Sequence, residues 1–171
     1  QTQVLVQPIE EKKVLIVENF YPYSLYKYGT SLPVKLIDKN FINRSNPEDV
    51  VVEMLSSINS GDYDWNLSLW DLKSKEIMEN EDKANNKDKN FWINWWKNIP
   101  KRNYYIMNKI VYKDQVFIEY GYIGTEKSLK RVSTVALKKI NENWYLTREF
   151  ASNPLILNWS NKTGRIQQVI D

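Results

Sequence analysis

Between Arg102 and Ala151 the hydrophobic and polar residues alternate with a period of two. Val116, Ile118, Tyr120 and Tyr122 fall on one side of a strand, with Phe117, Glu119 and Gly121 on the other. Further on, Trp144, Leu146, Arg148 and Phe150 alternate with Tyr145, Thr147 and Glu149. Successive side chains of a strand point to opposite faces, so this pattern predicts half-buried strands. The polar breaks at Lys113-Asp114-Gln115, Gly124 to Ser128 and Asn141-Glu142-Asn143 suit hairpins. The stretch therefore reads as an antiparallel meander of four strands with one apolar face that needs a cover.

Helical periodicity upstream supplies the cover. In residues 45–61, Ser45 or Asn46 caps a helix, Pro47 suits its first turn, and Glu48 and Asp49 favour its positive end. Val51, Met54, Leu55 and Ile58 form one apolar stripe, and Gly61 ends the helix through positive φ. Asp62 is expected to cap a second, short helix carrying Trp65 and Leu69. From Lys73 to Asn90 the chain is polar apart from Ile77, Met78 and Ala84, and reads as a solvated helix and loop. Asp88 is placed to cap a third amphipathic helix that stops at Pro100. Its stripe of Trp92, Trp95, Trp96 and Ile99 is expected to pack on the sheet, or in part to wall a cavity.

The ends of the chain are less regular. Apolar runs at Val14 to Val17 and Val34 to Ile37 flank the tyrosines Tyr21, Tyr23, Tyr26 and Tyr28, which predicts an added edge hairpin or a Tyr-rich lip. Pro22 and Pro33 exclude one long helix there. After Pro154, the residues Leu155, Ile156, Leu157 and Trp159 suit a short strand or a cap on one end of the sheet. The chain is accordingly expected to divide into an N-terminal extension with short strands (1–44), an α+β domain (45–160) and a C-terminal tail (161–171).

Composition narrows the chemistry. With 171 residues the chain suits one domain, and 42% hydrophobic and 26% charged residues are ordinary for a globular protein. Seven Trp and eleven Tyr are an unusual aromatic load. The sequence has no Cys and no His, which removes disulfides, thiolate nucleophiles, thiolate or imidazole metal ligands and His-based triads. Five Gly leave no place for a nucleotide-binding loop, so neither a cofactor nor a metal is expected. A net charge of +3 without a basic run argues against nucleic acid as a partner. The chain starts at Gln1 rather than Met, and its richness in Asn, Lys, Ile and Tyr hints at an AT-rich bacterial genome. An extracytoplasmic location, periplasmic, secreted or envelope-anchored, is the resulting expectation.

The run NPEDVVVEMLSSINSGDYDWNLSLWD, a further helix, and a long meander ending NENWYLTREF together resemble the nuclear transport factor 2-like superfamily. The likeness covers roughly Ser45 to Asn153. It implies an α+β, cystatin-like fold in which a cone-shaped, curved antiparallel sheet wraps around about three N-terminal helices and leaves a cavity at its open end. Ketosteroid isomerases and polyketide cyclases belong to that superfamily, and so do many secreted bacterial domains. The acid-base residues of its enzymes have no position-by-position match here, and Asp62 and Asp64 are better explained by a cap and a turn. A non-catalytic, exported ligand-binding or accessory domain is the leading expectation. A periplasmic assembly domain of a type IV secretion or conjugation apparatus, with protein partners at the cell envelope, is the second, and an isomerase or cyclase using Asp and Tyr the third.

Seven residues are singled out for a small apolar or anionic ligand: Trp65, Trp92, Trp96, Tyr120, Tyr122, Trp144 and Arg148. Strand parity sets Arg148 on the apolar side, where an unpaired charge costs several kcal/mol. It is expected either to pair with a carboxylate or snorkel at a rim, or to hold an anion inside the cavity. Glu119 and Glu149 are assigned to the other face, paired across strands with Lys109 or Lys138. A homodimer through that outer face, using Phe117, Tyr145 and Tyr105, is a further expectation.

Overall fold

The structure is a computed structural model that describes residues 15–20, 23–150 and 165–170. Strands β1 (Leu15–Phe20) and β2 (Ser24–Lys27) lead into four helices: α1 (Pro47–Ser60), α2 (Tyr63–Ser68), α3 (Leu72–Ala84) and α4 (Lys89–Lys97). Strands β3 (Tyr104–Tyr112), β4 (Gln115–Ile123), β5 (Leu129–Ile140), β6 (Asn143–Leu146) and β7 (Arg165–Ile170) follow. The protein is thus α+β. A five-stranded antiparallel sheet runs β2-β3-β4-β5-β6, and β1 pairs with β7 in a separate two-stranded sheet. The meander of β3 to β6 agrees with its alternation. The N-terminal segment gives that sheet one edge strand, β2, rather than a hairpin, and the segment read as a tail carries β7. The short strand expected at Leu155 to Trp159 lies outside the described residues.

The helix starts follow local chemistry. Asp62 Oδ1 accepts from the Trp65 amide at 3.0 Å and Asp88 Oδ1 from the Phe91 amide at 2.8 Å, each filling an orphan donor of a first turn. Gly61 closes α1 at φ 69°, a left-handed conformation that costs glycine little. Val50, Val51, Met54 and Leu55 of α1 pack against Ile106, Val116, Ile118, Leu137 and Leu146 of the sheet, all buried. Each such side chain contributes roughly 1.5–3 kcal/mol through removal from water.

Three expectations change in the folded chain. First, the sheet is not apolar on one face alone. Ile110, Phe117 and Ala136 form a second buried cluster with Leu25 and Phe150 packed on it, so Val116 through Gly121 is buried without a break. Phe117, 1% exposed, is already covered within the chain. Second, β3 shifts register between Ile106 and Asn108, and this bulge turns Lys109 to the face that meets α1. Lys109 Nζ therefore donates to Glu48, not Glu119, which pairs instead with Arg131 at 3.0 Å. Lys138 does reach Glu149, at 2.8 Å. Third, the tryptophan stripe of α4 does not cover the sheet. No residue of α4 is buried, and Trp95 is 59% exposed.

The connector between α2 and α3 fastens the helices to the sheet. Trp70 forms an isolated parallel bridge with Leu146. The Leu146 amide donates to the Leu69 carbonyl at 2.8 Å, and the Asp71 amide donates to the Leu146 carbonyl at 3.1 Å. The Trp144 amide donates to the carbonyl of Arg44 at 2.8 Å. At the far side of the sheet, Pro33 bridges Tyr105 beyond the end of β2. Among the described residues no helix is long and apolar enough to cross a membrane.

Candidate functional site

The helices enclose a cavity of about 280 Å³ on their own layer rather than inside the sheet. Met54 and Ile58 of α1, Tyr63 and Leu67 of α2, and Met78 of α3 supply apolar walls, with Trp92 and Trp96 of α4 opposite and Trp70 from the connector. The Tyr63 and Trp96 rings stack with centroids 6.0 Å apart. Two Met thioethers among rings make an adaptable apolar lining.

Polar groups sit at the rim and are already engaged. Trp92 Nε1 donates to Asp82 Oδ2 at 3.1 Å. The Arg148 guanidinium forks onto Glu81, at 3.0 Å and 2.9 Å. That pair holds the Glu81 carboxyl below the ordinary carboxylate range. Arg148 is placed by its backbone, because its amide donates to Ser74 Oγ of α3 at 2.7 Å. Strand β6 has already ended at Leu146. The parity that set Arg148 among Trp144, Leu146 and Phe150 therefore fails: the chain leaves the sheet two residues earlier and turns onto α3. Of the two accounts of Arg148, the rim residue paired with a carboxylate is the one found.

The seven singled-out residues thus divide. Trp92, Trp96 and Arg148 line the cavity. Trp65 is instead buried between α1 and α2, with Nε1 donating to Glu53 Oε1 at 3.1 Å. Tyr120 lies in the sheet core edge-on to Tyr104, and burial pushes its hydroxyl up to about 12. Tyr122 lies under the Arg102 guanidinium, 4.0 Å from the ring centroid. Trp144 packs against the main core from the last strand of the meander. Sequence reasoning missed Tyr63, Trp70 and Glu81. Met78, an isolated apolar residue in the polar run, was the available signal there.

Buried acids lie elsewhere. Glu53, fully buried, has Arg44 Nε at 3.6 Å and the Trp65 indole as neighbours. Loss of hydration raises its pKa, against the pull of Trp65 and Arg44. Glu119 is raised for the same reason, against a bond from Asn108 and the charge of Arg131. Neither lines the cavity, whose own acids are Glu81 and Asp82. Among the described residues no three acidic side chains gather as metal ligands. The arrangement offers apolar contact and a paired polar rim, with no desolvated base turned toward the space.

Arg148→Met tests how much the rim pair holds. Both partners are substantially exposed, so the loss of stability should stay within about 0.2–1 kcal/mol in urea titrations and shrink with added salt.

Comparison with protein families, with curated proteins and with solved structures finds no match for this chain.

Proposed function

We propose that this chain is a non-catalytic binding module of the bacterial cell envelope, and that the helix-lined cavity is its pocket for a small, flat, mainly apolar molecule. The observation that supports it is the lining: four aromatic side chains and two thioethers around about 280 Å³, with Arg148 paired to Glu81 and Asp82 held by the Trp92 indole at the rim. Such a wall favours apolar area and ring stacking over charge recognition. The same reading takes the sheet and helices as a nuclear transport factor 2-like cone, supported by the antiparallel order β2 to β6 with α1 packed on one face.

The test uses 1-naphthol as a neutral flat probe, followed by saturation-transfer NMR and intrinsic Trp fluorescence. Met78→Trp, or Leu67→Trp from another wall, fills the space. Either variant should bind 1-naphthol at least about tenfold more weakly while its circular dichroism stays that of the parent. Equal affinity in both filled variants would overturn the reading.

A further inference from the structure

A second cavity, of about 230 Å³, lies where the chain crosses from α4 to β3. Leu55 and Ile58 of α1, Trp96, Ile99 and Tyr104 give it an apolar body. Its mouth carries three cations, Lys97, Lys101 and Arg102. The last two also line an adjoining hollow of about 350 Å³ with Leu36, Asn59 and Asn103. No Asp or Glu belongs to either lining.

Among the described residues four other half-buried cations do meet a carboxylate, whereas Lys75 and Lys87 do not, and Lys87 lies over the rings of Phe91 and Trp92. Arg44 meets Glu53, Lys109 meets Glu48, Lys138 meets Asp71 and Arg148 meets Glu81. Arg102 is half-buried too, yet its guanidinium faces the ring of Tyr122. Among the described residues it has no carboxylate partner, and neither do Lys97 and Lys101. Cations of one sign around an apolar recess focus a positive potential at its mouth. The planar guanidinium is shaped for bidentate contact with an oxyanion. A recess of this size is below the roughly 300–1,000 Å³ of sites for drug-sized ligands, so the body it admits is small.

We propose that this recess binds a small amphipathic monoanion, its carboxylate or sulfonate head on Arg102 and Lys101 and its short alkyl or single-ring body against Leu55, Ile58 and Trp96. The plainer role for these cations is to answer the negative C-terminal end of α4, whose last turn holds Lys97. That role moves stability when Arg102 is removed and does not select a ligand. The proposal stands apart from the helix-lined pocket, with which it shares only Ile58 and Trp96 of the two linings.

Isothermal titration calorimetry with octanoate, 1-octanol and acetate separates head from body. Octanoate should bind at least about tenfold more tightly than either 1-octanol or acetate, and more weakly at high salt. Arg102→Gln should cut octanoate affinity about tenfold or more and leave 1-octanol unchanged. The double variant Lys97→Gln/Lys101→Gln should act in the same direction if Arg102→Gln proves unstable. Met78→Trp should leave octanoate binding intact. Octanoate and 1-octanol binding alike, octanoate affinity unmoved by loss of the cations, or octanoate affinity lost in Met78→Trp would each overturn the proposal.

Discussion

Glu53→Ala should lose about 3–5 kcal/mol of stability, the usual cost of removing one partner from a buried ion pair. The side chain is fully buried, and its loss strands two groups at once: the Arg44 guanidinium, 17% exposed, and the Trp65 indole N–H. Glu53→Gln keeps an acceptor for Trp65 and should lose clearly less. The two variants also separate in pH. The folded-state pKa of Glu53 lies above its ordinary 4.5 because burial outweighs Trp65 and Arg44. The folded protein therefore holds this proton more tightly than the unfolded chain, and stability falls as pH rises from about 4.5 through the folded pKa. Glu119 adds a shift of the same sign, so the informative quantity is parent minus Glu53→Gln. That difference should grow toward acid pH in urea titrations, as the parent regains the stability its raised pKa costs it at higher pH. A difference that shrinks toward acid would show Arg44 winning over desolvation.

Gly121→Ala is expected to sit at the upper end of the ~1–3 kcal/mol typical of overpacking. Gly121 lies at the β4–β5 irregularity, where the register shifts after Tyr120. A Cβ there would run into the carbonyl oxygen of Lys130 and lie 2.6 Å from the Met107 sulfur. The thioether can swing aside, whereas the carbonyl belongs to the neighbouring strand and cannot move without opening the ladder. Gly121→Ala with Met107→Ala should therefore remain destabilised to a similar degree. Full recovery in the double variant would assign the crowding to the side chain alone. Chemical denaturation with hydrogen exchange across β4 and β5 reads both outcomes.

What was legible in the sequence was local. The stripe of Val51, Met54, Leu55 and Ile58, the caps at Asp62 and Asp88, the glycine stop at Gly61 and the meander all depend on neighbours a few residues away. What was not legible depended on distant backbone. Arg148 left its predicted face because Ser74 captures its amide across 74 positions of chain. Lys109 changed face because one bulge in β3 reverses every parity after it. Glu53 stands outside the apolar stripe of α1 and is buried because Trp65, a full element away, packs onto it. Trp92 and Trp96, expected in part to wall a cavity at the open end of the sheet, instead line one among the helices. Helical spacing says which rings share a face and nothing about which layer that face meets.

The short bridge between Trp70 and Leu146 reaches beyond the helices it anchors. A sheet ends in a row of unpaired amides and carbonyls, a template on which a foreign strand can grow. Here the amides of Trp144 and Leu146 and the carbonyl of Leu146 are already spoken for by Arg44, Leu69 and Asp71. The β6 border is sealed by the chain's own backbone, which protects the meander from edge-to-edge polymerisation on that side. Recruitment by strand addition would have to come from the opposite border, where β2 is four residues long and is continued by irregular backbone bonds of Tyr28, Leu32 and Val34 to β3 around the bridge of Pro33 with Tyr105.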